Sequence, residues 1–270
     1  MSQTTSQKRE AFRRLHESGC FVLPNPWDVG SARLLQHLGF KALASTSAGM
    51  AWALGRADGE VSLDEVLLHL STLAHATDLP LNADFENGFA DAPEPMARNV
   101  GLAVDTGVSG LSIEDYAGPE RGLYDFSLAV ERVAAAREAI DKTASGVLLT
   151  ARSEGFIRGA PDMDETIRRL QAFARAGADC LYAPGLRDEA QIRQVVEAAA
   201  PKPVNLLSPG LPVATVAALG VRRISLGGAL AGLAYGAALA AATELAEQGT
   251  FGAFAQATGG RRLNPIFAGS

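Results

Sequence analysis

The chain has 270 residues, 47% of them hydrophobic and 20% charged, which is ample for a sizeable core and excludes a disordered polymer. A formal net charge of -6 offers nothing to nucleic-acid phosphates or to an anionic membrane surface. Two cysteines, Cys20 and Cys180, cannot build a disulfide framework, and the first residues lack an apolar signal-peptide core, so the expected location is the reducing cytoplasm.

Residues 1–18 read as an N-terminal helical extension. Short apolar runs bounded by turn residues then alternate with helical patterns. Cys20–Leu23 precedes Asp28–Leu38, and Ala42–Ser45 precedes a loop from Gly49 to Gly59 and then Ser62–Ala76. Leu81–Asp84 leads to Pro93–Asp105, and Gly110–Glu114 to Leu128–Ile140. The pattern continues with Val147–Arg152 and Met163–Ala176, then Cys180–Ala183 and Asp188–Ala199. It closes with Pro203–Leu207 and Pro212–Leu219, Arg223–Leu226 and Gly228–Gln248, and a tail over 249–270.

The strand candidates are continuously apolar rather than alternating, as in a parallel sheet covered by helices on its outer face. Gly39, Gly107, Gly177 and Gly220 each stand just before a strand, where glycine can end a helix in the left-handed conformation. Eight β/α pairs without a Pro/Gly/Ser-rich linker predict one domain, an α/β fold of the (β/α)₈ TIM-barrel type. An open doubly wound sheet would want a glycine-rich fingerprint after its first strand, and Pro24-Asn25-Pro26-Trp27-Asp28 is not one. Ile224–Thr243 carries no charge, but it is mostly Ala and Gly and is broken by Gly227-Gly228; it reads as a core helix rather than a membrane span.

In such barrels chemistry gathers at the C-terminal strand ends. Those ends hold Ser45-Thr46-Ser47, Asp84-Phe85-Glu86, Glu114-Asp115, Arg152-Ser153-Glu154 and Asn205. Helix capping explains any one of them, but several carboxylates around one axis demand a cation. A divalent metal answers that demand, with Arg152 beside it for an anionic substrate. Oxygen-only ligands favour Mg²⁺ or Mn²⁺ over zinc. His16, His37, His69 and His75 fall on helical segments, which removes a histidine base; Lys8 sits in the tail, and Lys41, Lys142 and Lys202 precede strands, which removes a Schiff base. Asp58, in Gly55-Arg56-Ala57-Asp58-Gly59, fits either a solvated turn or a group reaching the mouth. Trp27 lines the mouth or covers it. Gly227-Gly228 reads as a tight turn before it reads as a phosphate cradle.

From Pro24 to about Leu245 these motifs resemble the isocitrate lyase/phosphoenolpyruvate mutase superfamily. The resemblance rests on Ser45-Thr46-Ser47, Leu54-Gly55 with Asp58, Asp84-Phe85-Glu86-Asn87-Gly88-Phe89, Ser112-Ile113-Glu114-Asp115 and Ala151-Arg152-Ser153-Glu154. It implies a barrel whose C-terminal helix is exchanged between subunits of a homodimer or homotetramer. It also implies Mg²⁺ held directly by Asp84 and through water by Glu86, Glu114 and Asp58. Ser45, Thr46 and Ser47 would clasp a substrate carboxylate and Arg152 would pair with the anionic end; the strand-end reading adds Asn205 and Trp27 to the substrate site.

Two departures narrow that implication. Glu86 stands where the family usually has Asp. The segment Tyr116-Ala117-Gly118-Pro119-Glu120-Arg121-Gly122 lacks the Cys-Gly-His loop of the tricarboxylate lyases, so isocitrate-type cleavage is disfavoured for want of a general acid. The expected activity is a Mg²⁺-dependent lyase that makes or breaks a C–C bond beside a small 2-oxo or 2-hydroxy acid, with decarboxylation of an oxaloacetate-like acid as the simplest form. The alternatives are phosphonopyruvate mutase or hydrolase chemistry, with Arg121 or Arg158 as the extra cation, and a non-catalytic 2-oxo acid binding protein.

Overall fold

The computed structural model describes residues 3–208 and 210–268, so the outermost residues of the predicted extension and tail lie outside it. The extension is a helix, α1 (Thr5–Leu15), opened by a capping box between Thr4 and Gln7. Its Phe12 is fully buried and plugs the N-terminal end of the barrel with Leu23, Ala42, Ala44 and Leu148. Lys8 is therefore not in a free tail: it is buried and donates to the carbonyl of Ala74 at 2.8 Å.

Eight strands form one parallel sheet: β1 (Phe21–Leu23), β2 (Leu43–Ala44), β3 (Leu81–Asp84), β4 (Gly110–Glu114), β5 (Leu148–Arg152), β6 (Cys180–Tyr182), β7 (Val204–Leu207) and β8 (Arg223–Ser225). The order β1-β8-β7-β6-β5-β4-β3-β2 makes every neighbour consecutive in the chain except β1 and β8, whose pairing closes the ring. β1 and β2 share no ladder; a backbone bond from Ala44 N to Pro24 O, 3.0 Å, and one from the Asn25 side chain to Ser45 O, 2.7 Å, tie the seam. The result is a nearly closed (β/α)₈ barrel, and the four predicted joints do take positive φ, from 84° at Gly39 to 104° at Gly177.

The outer helices are α2 (Val29–His37), α4 (Leu63–Ala76), α5 (Pro93–Asp105), α6 (Phe126–Lys142), α7 (Met163–Arg175), α8 (Glu189–Ala199), α9 (Val213–Ala218) and α10 (Ala229–Gln248). An additional helix, α3 (Ser47–Ala53), occupies much of what the sequence suggests as a loop from Gly49 to Gly59. Thr46 caps it through Oγ1, and Gly49 sits so close to Trp27 and Thr46 that a Cβ there would lie 2.6 Å from Thr46 Cγ2. The tail folds as a 3₁₀ turn (Gly252–Gln256) and α11 (Gly260–Phe267).

The expectation of a core helix at the C-terminus is corrected. α10 has the length and composition of a membrane span, yet only Ala231 is buried, and Leu233 and Leu239 stand 71% and 69% exposed. The barrel is already covered where α10 starts, because Trp52 of α3 packs against Gly228, Gly232 and Tyr235. The remaining turns reach past the wall with their apolar side chains uncovered.

Candidate active site

The parallel sheet brings the C-terminal ends of all eight strands around one cavity of about 640 Å³. Ser45, Thr46, Ser47, Asp58, Asp84, Glu86, Glu114, Arg152 and Asn205 all line it. Trp27 does not. The capping box of α2 turns the chain away after Pro26, with Trp27 N donating to Ser31 Oγ, and the Trp27 Cβ sits beside Gly49. Asp58 lines the rim from an exposed turn.

Arg152 is the hub. Its Nη1 meets Asp84 Oδ1 at 2.7 Å, its Nε meets Glu154 Oε1 at 2.8 Å, and its Nη2 lies 3.3 Å from Glu114 Oε2. Register explains the convergence, since Glu114 pairs with Arg152 and Asp84 with Ser112 on adjoining strands. Burial works against the Arg152 charge, but Glu154, Asp84 and Glu114 outweigh it and hold its pKa well above the ordinary value. The guanidinium also stacks on Tyr182, 5.1 Å from the ring centre, whose phenol burial pushes up to about 12. The arginine that the resemblance gives to the substrate thus first organises the carboxylates.

Asp84 is held on both oxygens. Ser47 N donates to Oδ2 at 3.2 Å, while the Ser45 hydroxyl accepts from the Asp84 N–H at 2.8 Å. Glu86 is placed by backbone strain: its φ of 45° is left-handed, which costs a non-glycine residue about 1 kcal/mol. That turn lets its carbonyl accept from Glu114 N at 2.9 Å. Burial, then Asp84 and Asp58, push the Glu86 carboxyl up to about 7 despite Arg152 and Arg158. Burial likewise raises Glu114 well above the carboxylate range. Behind it Asp115 anchors α7 through Arg169 at 3.0 Å and accepts from Glu154 N at 2.8 Å.

Several participants escape a strand-end reading. Arg158 comes from the turn after β5, contacts Glu154 at 3.2 Å, stacks on Tyr116 at 4.1 Å and lines the cavity. Arg121 is instead engaged by Asp91 in a two-pronged pair outside it. That pair, with the Tyr124 hydroxyl donating to Asp91 and Ala117 N to Gly122 O, makes the segment after β4 an ordered hairpin whose base lines the mouth. Asn25 accepts from Leu226 N and Gly227 N at 2.8 and 3.0 Å and donates to Ser45 O. The Gly227-Gly228 turn is therefore tight, with Gly227 N bonded within the protein. An Asn between two prolines was the only signal for that role.

The donor set suits a hydrated hard cation. Asp58, Asp84, Glu86 and Glu114 bring carboxylates to a cavity whose upper part holds Arg152 and Arg158, and Glu86 forms no ion pair among the described residues. No three acidic, His or Cys side chains among the described residues close on a single point. A Mg²⁺ ion commonly takes one or two carboxylates, which these side chains can supply, and fills the rest of its shell with water. No Lys, His or Cys is among the lining residues; Cys180 is fully buried in β6 and its thiol is pushed up by that burial.

The sequence matches, over residues 12–246, the family described as phosphoenolpyruvate phosphomutase. A crystal structure from Burkholderia cenocepacia J2315, of a protein described as a lyase/mutase, superposes with a TM-score of 0.95 at 46% identity, covering 98% of this chain and 97% of that one. The 2-methylisocitrate lyase of Escherichia coli K12 is 30% identical over 63% of this chain and 60% of its own. The oxaloacetate decarboxylase of Pseudomonas putida GB-1 is also 30% identical, over 70% of this chain and 66% of its own.

Proposed function

Because the chain belongs to the phosphoenolpyruvate phosphomutase family, we propose that it is a Mg²⁺-dependent lyase that breaks or forms a C–C bond beside a small 2-oxo acid. The simplest form of that activity is decarboxylation of an oxaloacetate-like substrate. The observation that carries this reading is a buried acidic cluster, organised by Arg152, in a cavity without a lysine, histidine or cysteine.

Asp84 would hold a divalent ion, which would supply Lewis-acid stabilisation of the negative charge that a 2-oxo acid takes on as its bond to C3 breaks. Glu86 and Glu114 would hold such an ion through water. The Ser45–Ser47 turn presents hydroxyl and backbone groups beside Asp84, placed to hold the substrate carboxylate. Arg152 keeps Asp84, Glu114 and Glu154 as one unit and adds positive charge where the transition state becomes anionic. The hairpin after β4 narrows the mouth against water. Without a cysteine or histidine general acid, cleavage of a bulky tricarboxylate forgoes about 10²–10⁴-fold in rate, so isocitrate-type substrates should turn over poorly.

Uncovered apolar residues on α10 support a second subunit as its cover, in a homodimer or homotetramer. Arg158 in the cavity is the observation that keeps C–P chemistry as a second reading, since a phosphoryl group requires more cation. The test is to incubate Mg²⁺-loaded protein with oxaloacetate, 2-methylisocitrate, 2,3-dimethylmalate and phosphonopyruvate. Fastest turnover of oxaloacetate supports the proposal. Turnover of phosphonopyruvate alone favours the second reading, and tight binding of 2-oxo acids with no turnover makes the protein a binding protein.

A further inference from the structure

Beneath Asp84, on the floor of the same cavity, stands a guanidinium that the reading above does not use. Arg223, the first residue of β8, is 2% exposed and lines the cavity with Asn82, Asn205 and Ser225. Its Nε donates to Asn205 Oδ1 at 2.8 Å and its Nη1 contacts His16 Nε2 at 3.3 Å, with Asn82 Oδ1 at a long 3.4 Å. Each of these partners is neutral. Burial and the Arg223 charge push the His16 ring down to about 3, and its Nδ1 bonds the Phe12 carbonyl at 2.8 Å, so Nε2 is left as an acceptor. Asn205 donates through Nδ2 to Ser225 Oγ at 3.0 Å, which turns its oxygen toward the guanidinium.

Among the described residues no carboxylate lies within ion-pair distance of Arg223, and no protein atom accepts from its Nη2. Three other interior arginines are closely engaged, one of them, Arg132, by the carbonyls of Asn87, Ala90 and Asp91. Arg152 and Arg169 face carboxylates at 2.7 and 3.0 Å. Arg223 has neither arrangement: its partners are few and neutral, its Nη2 has none among the described residues, and it borders open space that an anion can enter. Apolar side chains at these positions would have filled the barrel more cheaply.

We propose that Arg223, with Asn82 and Asn205 around it, forms an anion subsite for the distal carboxylate of a dicarboxylic 2-oxo acid whose head is held at Asp84. This rests on the functional reading above and narrows its substrate class. Asn82 and Asp84 both line the cavity from β3, two residues apart, so the head and the floor are separated by about 7 Å along the strand. A four- or five-carbon diacid bridges that step with hydrogen bonds of about 2.9 Å at each end. A monoacid of equal length leaves the guanidinium unpaired, and a site built to bond a polar group rejects analogues that lack it. Loss of a charge-assisted contact of this kind weakens binding on the order of 10- to 100-fold.

The experiment is calorimetric titration of Mg²⁺-loaded protein with three probes. Oxalate reports the upper site alone. 2-Oxoglutarate and 2-oxopentanoate share a five-carbon 2-oxo acid frame and differ in whether the far end is a carboxylate or a methyl. Wild type is expected to prefer 2-oxoglutarate by about 10- to 100-fold. Arg223→Met should lose that preference with oxalate binding unchanged. Arg223→Lys, which keeps the charge but not the planar guanidinium, should lose part of it and serves if the methionine variant fails to melt cooperatively. Absence of a preference in wild type, or its full retention in a folded variant, overturns the subsite and leaves the upper site standing. Failure of oxalate to bind wild type overturns the functional reading itself, and the subsite with it.

Discussion

Replacing Glu86 with glutamine should stabilise the metal-free protein at high pH, the reverse of what loss of a buried carboxylate usually does. The carboxyl moves from 4.5 to about 7 on folding, because burial and the nearby Asp84 and Asp58 oppose its ionisation. Below about pH 4.5 it is protonated in both states and contributes nothing. Between about 4.5 and 7 the unfolded chain gives up this proton while the folded one keeps it, so stability falls as pH rises. Above about pH 7 the loss is complete, and a displacement of that size corresponds to about 3 kcal/mol. Glutamine keeps the shape and stays neutral. Urea denaturation in EDTA should therefore show Glu86→Gln more stable than wild type by up to about 3 kcal/mol at pH 8 and nearly equal at pH 4.5. Magnesium should narrow the gap, since ligand at 100 times its Kd stabilises wild type by about 2.7 kcal/mol and the variant by less. If Glu86→Gln is no more stable than wild type at pH 8 in EDTA, the carboxyl is not strained by its neighbours and the metal-site reasoning built on it fails.

Four further outcomes follow from the same geometry. Asp84→Ala should abolish Mg²⁺ binding in calorimetry, whereas Glu86→Ala and Glu114→Ala weaken it by less because they act through water; unchanged affinity in Asp84→Ala refutes the assignment. Light scattering should return a dimer or tetramer, and Leu239→Glu should shift it toward monomer, because Leu239 is 69% exposed on a single chain; a 28.1 kDa particle for wild type at micromolar concentration counts against a subunit cover. Cys180→Ser should keep its turnover, since Cys180 is fully buried and outside the cavity lining; loss of turnover in a folded variant would mean a relocated general acid. Gly49→Ala should destabilise by about 1–3 kcal/mol in thermal or urea unfolding, because its Cβ would meet Thr46 and Trp27 at 2.6 and 2.9 Å; an unaffected midpoint would show that α3 shifts freely.

The order of strands, the closed parallel topology and the acidic mouth were all legible in the residues themselves. Local patterning carries them: an apolar run followed by a helical period repeats eight times, and a parallel ring must put every C-terminal strand end on one face. Asp84, Glu86, Glu114 and Arg152 could be named for that reason alone. Chain order says nothing of depth or of partners distant in sequence. The ties of Arg152 to Asp84 and of Arg223 to His16 span 68 and 207 positions and exist only once the barrel sets strand register. Trp27 looked like a mouth residue because it follows a strand, but the α2 capping box seats it beside Gly49 of α3, outside the cavity lining. α10 looked like core because it is apolar, and only the completed barrel shows that its own chain has no surface left to cover it. Sequence pattern determines which faces need burial; three-dimensional packing decides which of them find it.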